Sequence, residues 1–312
     1  MPVKKNLHNH RKHNQYKFKK IFWLFLLLLL ILGVGIAGIA YHNVYKATNI
    51  IYKKSNAHKK RNAGKLIDNK RPISILLLGT DTGALGRKYK GRTDTMIIMS
   101  INPEKQKTVM MSLPRDMKVN LSGYSEYSPA KINKESIDTV QKYLKVPIDY
   151  YVLVNMGGLK RAIDQVGGVT VISPLTFSYE GDHFIKGKKY HLYGDDALKF
   201  SRMRYSDPQG DYGRQLRQRL ILTGLLKKSF SYKTFLSSSF LKSISNQAQT
   251  DLNRSQMFGL SLNYRKVGNH VVSDHVQGVG KEIGGQDFEV VSKSELIKSS
   301  NIIRNNLGLT RY

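Results

Sequence analysis

The chain has 312 residues, no cysteine, and 51 lysines and arginines against 22 aspartates and glutamates, for a formal charge of +29. That composition excludes a disulfide scaffold, a thiol enzyme and a zinc site built on thiolates. Only one stretch is apolar enough to span a bilayer, so a multi-pass membrane protein is excluded; the length suits one large domain or two small ones with appendages.

Residues 1–20 form a basic tail with Lys4, Lys5, Arg11, Lys12, Lys17, Lys19 and Lys20 and no acid. Its composition predicts disorder, and its charge suits anionic membrane lipid rather than nucleic acid. Residues 21–40, IFWLFLLLLLILGVGIAGIA, carry no charge. As a helix rising about 1.5 Å per residue they reach roughly 30 Å, the thickness of the hydrocarbon layer. Trp23 and Tyr41 stand where interfacial aromatics are expected. Lys17, Lys19 and Lys20 abut the near end, while only Lys46 lies close beyond the far end. That asymmetry predicts a cytoplasmic N-terminus and an exported remainder: a single-pass type II protein of the cell membrane, its main domain extracellular, in a Gram-positive-type envelope. A cleaved signal peptide, with Gly38-Ile39-Ala40 as its small-residue site, asks for a shorter apolar region. Residues 41–69 read as a polar, basic extracellular stalk that includes a juxtamembrane helix.

The domain proper is expected over 70–312. Ile73 to Leu78 is an apolar run ending at Gly79, which predicts a central strand. Residues 95–101 and 108–113 are β-rich and flank Asn102, Pro103, Glu104 and Lys105, which predicts a hairpin. Ile132, Ile137, Val140 and Leu144 share one helical face. A strand over 150–154 follows, then a helix over 157–166 closed by Gly167 and Gly168, and a strand over 169–172 stopped by Pro174. Further helices are expected at 194–201, 211–230, 233–247 and 255–265, a late strand at 270–273 and a closing helix at 292–305. Strands interleaved with helices predict an α/β fold: a single domain with a central mixed β-sheet flanked by helices, behind one N-terminal transmembrane helix.

Polar clusters sit at the strand ends. Gly79-Thr80-Asp81 follows the first strand, Arg92-Thr93-Asp94 precedes the second, and Pro114-Arg115-Asp116 follows the third. Strand ends at one edge are where α/β sheets gather ligand groups, although each cluster alone also reads as a solvated strand end. The densest signal is Arg202, Arg204, Asp207, Asp211, Arg214, Arg217, Gln218 and Arg219. Helical spacing puts Arg214, Arg217 and Gln218 on one face, with Asp211 near its start. A solvated salt-bridge ladder fits this pattern. So does a phosphate site, because arginine forks match phosphate oxygens and paired carboxylates hold Mg²⁺ across a diphosphate. No His-Glu-x-x-His, Gly-x-Ser-x-Gly, Walker A or dinucleotide motif competes. The histidines at 183, 191, 270 and 275 lack ligand spacing.

Taken in order, several blocks resemble the LytR-CpsA-Psr family of cell-wall attachment proteins: Leu78-Gly-Thr-Asp81, Gly91-Arg-Thr-Asp-Thr-Met96, Ser112-Leu-Pro-Arg-Asp116, Asp149-Tyr-Tyr, Val154-Asn155 and Asp164 to Val171. The longest is Ala197 to Pro208 continuing into Gly210-Asp-Tyr-Gly-Arg-Gln-Leu-Arg-Gln218. His191-Leu-Tyr-Gly-Asp195 departs from the family's usual approach to that block. The resemblance implies a long hydrophobic pocket for a polyprenyl chain, mouthed by arginines. It implies a phosphotransferase that moves a glycopolymer (wall teichoic acid, capsule or a related polysaccharide) from undecaprenyl diphosphate to a sugar hydroxyl of peptidoglycan, forming a phosphodiester. By the same resemblance Asp81 and Asp94 hold Mg²⁺, with Mn²⁺ the alternative. Arg92, Arg115, Arg202, Arg204, Arg214 and Arg217 bind the diphosphate, with Gln218 beside them and Lys131 on the phosphate side. Asp211 orients Arg214 or serves as a base, as does Asp94. Two rivals stay open: a membrane-tethered, non-catalytic regulator or polymer-binding protein, and a polyprenyl diphosphate hydrolase. A nucleic-acid partner matches the crude charge but not an exported domain with arginines beside aspartates.

Overall fold

The computed structural model describes residues 42–80, 93–119, 129–229 and 237–312. Residues 47–312 form one compact unit, and 1–46 a separate one. The expected membrane segment at 21–40 lies outside the described residues, and no helix among the described residues is long and apolar enough to cross a membrane.

The centre of the large unit is a six-stranded mixed sheet in the order β10-β3-β2-β1-β4-β9. Its strands are β1 (Ile73–Thr80), β2 (Thr93–Asn102), β3 (Lys107–Leu113), β4 (Tyr150–Asn155), β9 (Ala248–Thr250) and β10 (His270–His275). β1 pairs antiparallel with β2 and parallel with β4, and β10 pairs parallel with β3. β1 is apolar on both faces because both are covered. Leu76 and Leu78 point into a core shared with α2 (Pro129–Leu144) and α8 (Lys293–Asn306), where Ile137, Val140, Leu144 and Ile303 meet Ile98 and Met111. Leu77 and Gly79 face the other layer. That layer holds α3 (Met156–Gln165), α4 (Gly194–Arg202), α5 (Gly210–Ser229) and two small hairpins, β5 (Val169–Ile172) with β8 (Lys189–Leu192) and β6 (Phe177–Tyr179) with β7 (Asp182–Phe184). Phe177, Phe184 and Phe200 form its aromatic centre, with ring centroids 4.8 to 5.8 Å apart.

The hairpin expected from Asn102 to Lys105 is present as β2–β3, and the Asn102 side chain accepts from the Lys105 amide at 2.9 Å to close the turn. β6 to β9 and the hairpin β11 (Val279–Ile283) with β12 (Gln286–Val290) were not expected. Most are too short for period-two patterning, and β11 is exposed throughout.

The structure differs over 47–69, expected as a stalk. Ala47, Ile51, Ala57 and Ile67 are buried, Tyr52 bridges to Thr250 beside the sheet, and α1 (Ala63–Asp68) packs on α7 (Arg254–Asn263). The basic residues that looked solvated are partnered. Lys59 pairs with Asp251 at 2.6 Å, and the Arg61 guanidinium pairs with the buried Asp149. Asp149 also accepts from the Ser74 amide at 2.7 Å, so this segment is tied to β1.

Candidate functional site

The turn joining β2 to β3 is short, so the start of β2 and the end of β3 lie at the same end of the sheet, with Met96 opposite Leu113. The same end holds the C-termini of the parallel pair β1 and β4. Asp94 on β2 and Arg115 just past β3 therefore meet: Arg115 Nη1 donates to Asp94 Oδ1 at 2.6 Å, and its Nε lies 3.4 Å from Asp116. Burial works against the Arg115 charge, but Asp116, the bond to Asp94 and the field of Asp211 outweigh it and hold its pKa above the ordinary value.

α5 brings the second half of the cluster. Gly210 adopts a positive φ of 54° at the helix start, a conformation that glycine enters without strain. Asp211 in the first turn accepts from Arg214 Nε at 2.9 Å and, through its other oxygen, from Gln215 at 2.9 Å. Arg204 Nε lies 3.7 Å from the same carboxylate. Arg214 Nη2 also donates to the backbone oxygen of Asp94 at 3.4 Å, joining helix to sheet. Asp94, Arg115, Arg204, Asp211 and Arg214 thus form one partly open, charge-alternating cluster.

Other expected residues lie elsewhere. Arg217 is fully buried. Its guanidinium donates to the Phe200 carbonyl at 3.0 Å and to the Met203 carbonyl, pairs with Asp207, and stacks over Phe177 at 5.1 Å. It is turned from the cluster because Asp207, on the preceding turn, comes round to meet it. Arg202 ends α4 half-buried, with its charge acting on Tyr179. Asp81 and Arg92 lie outside the described residues, as does the side chain of Lys131.

Gln218 is buried and lines an apolar slot between sheet and helices, with Leu77, Gly79, Val154, Leu159, Ile221 and Leu222. Its Oε1 has no partner among the described residues. The slot's volume is about 40 Å³, room for a few waters at the roughly 10–15 Å³ that each requires by this measure. Of the expected long pocket, the described residues show this slot between α5 and the sheet.

No group of three or more histidines, aspartates and glutamates gathers for a metal among the described residues. Asp94 nevertheless has suitable chemistry. It is a hard oxygen donor at the sheet edge, and the described residues engage one of its two oxygens. Mg²⁺ is commonly held by one or two carboxylates and completed by phosphate oxygens and water.

A family model for the LytR_cpsA_psr family matches residues 38–305. A protein of Enterococcus faecalis named polyisoprenyl-teichoic acid--peptidoglycan teichoic acid transferase TagU is 37% identical over 304 residues, which cover 94% of this chain and 99% of that one. Among solved structures, one from Enterococcus faecalis described as a transcriptional regulator superposes with a TM-score of 0.67 at 31% identity, covering 79% of this chain and 91% of its own. The crystal structure of B. subtilis TagU gives a TM-score of 0.59 at 31% identity, covering 76% and 97%.

Proposed function

The chain belongs to the LytR-CpsA-Psr family, and from that premise we propose that it transfers a teichoic-acid-type glycopolymer from a polyprenyl diphosphate carrier to a sugar hydroxyl of peptidoglycan. One observation carries the reading: an arginine and carboxylate cluster at the carboxyl ends of β1 and β4 lies beside an apolar slot under the same helix. A lipid diphosphate is a molecule with those two needs, a charged head and a greasy tail. The name of the Enterococcus faecalis relative gives a polyisoprenyl-linked teichoic acid as donor and peptidoglycan as acceptor.

In this reading Arg115, Arg204 and Arg214 grip the diphosphate oxygens by charge-assisted hydrogen bonds. Asp211 has both oxygens engaged, by Arg214 and Gln215, so it positions Arg214. A divalent cation held by Asp94, with Asp81, would neutralise charge building on the leaving phosphate. The acceptor hydroxyl attacks the phosphorus bonded to the glycan, the bond to the bridging oxygen breaks, and polyprenyl phosphate leaves. Holding the reactants in line supplies much of the rate. Asp94, paired with Arg115 and assigned to the cation, is a weak base, so the hydroxyl proton passes to solvent or to a phosphate oxygen as the new bond forms.

Residues 1–40 anchor this domain to the outer face of the cell membrane. The rival reading, a membrane-tethered non-catalytic regulator or polymer-binding protein, keeps the arginines for binding alone; two solved neighbours are described as a transcriptional regulator or factor. The deciding assay uses the full-length protein with lipid-linked glycopolymer, peptidoglycan and Mg²⁺. A phosphodiester-linked product supports the transferase, released sugar phosphate indicates a hydrolase, and no product supports a non-catalytic role. Arg214→Ala is expected to lower transfer by about 100-fold or more, as loss of a donor aimed at developing charge does. Near-wild-type transfer by this variant rejects the clamp.

A further inference from the structure

α5 carries a second set of polar side chains that the arginine cluster does not use. Tyr212, Leu216 and Arg219 recur at helical spacing on the face turned away from the slot, whose helix side is Gln218, Ile221 and Leu222. With Asp274, His275 and Gln277 at the edge strand β10 they line a half-open hollow of about 430 Å³. This is within the size range of small-molecule sites, roughly 300–1,000 Å³.

The lining is chemically specific. Arg219 is only 3% exposed. Its Nη1 donates to Ser112 Oγ at 2.7 Å, but its Nε is buried with no partner among the described residues. Burial lowers its pKa to about 10, with Asp274 opposing, so it stays charged at neutral pH. The Tyr212 hydroxyl accepts from the Gly278 amide at 2.8 Å and donates to Glu289 at 3.2 Å, which fixes its ring 4.7 Å from that of His275. Gln277 is held by His275 Nε2 and the Gly278 carbonyl, each at 2.9 Å, and Asp274 accepts from the His275 amide through Oδ1 at 2.8 Å, which leaves Oδ2 to a ligand. An aromatic pair, a carboxylate oxygen and a guanidinium with an unused donor do not suit a bare anion, since Asp274 opposes it. They do not suit a hydrocarbon either. They suit a neutral ring rich in hydroxyl groups with an acetamido carbonyl.

Position narrows the choice. Tyr212 follows Asp211 directly, and Ser112 precedes Arg115 by three residues, so the cavity adjoins the charged cluster. It lies across α5 from the slot. Displacement at phosphorus brings the nucleophile in roughly opposite the leaving group, so a lipid on one face of α5 calls for an acceptor from the other.

We propose that this cavity, bounded by Tyr212, Arg219, Asp274, His275 and Gln277, seats an N-acetylhexosamine of the acceptor glycan. The proposal rests on the transferase reading above, and its test separates the two. The probe is the soluble disaccharide of N-acetylglucosamine and N-acetylmuramic acid, used with full-length protein in detergent. Asp274→Ala and Gln277→Ala change two partly exposed side chains, and circular dichroism checks their folding. Each is expected to raise the KM for acceptor about tenfold, the worth of one hydrogen bond to a charged or buried group, with the donor KM unchanged. Saturation-transfer NMR is expected to show contact with the disaccharide's acetyl methyl in wild type and in Arg214→Ala, and to lose it in Asp274→Ala. If wild type makes no transfer product but this contact is present and lost in Asp274→Ala, the subsite stands and the transferase reading falls. The subsite is overturned if wild type shows no contact, if both variants keep wild-type acceptor KM and contact, or if the donor KM rises instead.

Discussion

Arg214 and Arg217 are the same residue type on the same helix, three positions apart, and they do different work. Arg214 stays at the cluster, whereas Arg217 is spent on Asp207 and two carbonyls inside the second core. Removing Arg217 leaves a buried carboxylate without its counter-charge, a change that typically costs about 3–5 kcal/mol. Arg217→Ala is therefore expected to lower the denaturation midpoint sharply, read by urea titration, while Arg214→Ala shifts it little and loses transfer. Gly213 belongs to the same arrangement. A Cβ there would collide with the Asp207 carboxylate. Glycine to alanine inside a helix ordinarily gains about 0.5–1 kcal/mol. Gly213→Ala is expected to reverse that sign, and a thermal melt above wild type would refute the packing. The sequence could place both arginines on one helical face, but not tell ladder from ligand site. That depended on the path of residues 203–210, which bring Asp207 to one arginine and not the other.

At the scale of elements, the strand-end clusters were legible because geometry forces them together. Two antiparallel strands joined by a short turn return to the same end of the sheet, so the clusters at Asp94 and Arg115 could be placed at one end from sequence, while their ion pair came from the structure. The cavity beside β10 was not legible. β10 pairs with β3 across more than half the domain, and nothing local in residues 107–112 announces that partner. The segment before β1 was misread for a related reason: Lys59 and Arg61 look solvated until Asp251 and Asp149 arrive from distant loops. That contact carries a pH signature. Burial raises the Asp251 pKa above 3.8, with Lys59 and the Tyr151 amide opposing. A carboxyl whose folded pKa exceeds its unfolded one contributes stability below the unfolded value and loses it as pH rises through the folded value. Asp251→Asn is therefore expected to compare more favourably with wild type at pH 7 than at pH 4, in paired denaturant titrations at the two values. A constant difference would contradict the burial argument.

For the whole molecule, the sequence indicated the α/β class and a mixed sheet between helical layers, since hydrophobic runs of strand length alternate with helical faces. The greasy pocket was expected from the family resemblance alone, because apolar faces predict burial and not the space left between them; the described residues show an apolar slot beside Gln218. The charge asymmetry around residues 21–40 yields a prediction of its own. Deleting residues 1–40 is expected to move the chain from the membrane pellet to the supernatant, with a circular dichroism signal reduced only by the lost helix and a cooperative melt retained. Added protease is expected to digest the full-length chain's large domain in intact cells; protection there would place it on the other side.

A single helix, α5, walls both the slot and the larger polar chamber. Partitions of that kind make neighbouring rooms communicate: yielding toward one narrows or opens the other. If the slot takes a carrier and the chamber an acceptor, product-inhibition patterns with each ligand are expected to show an order of arrival set by this shared wall.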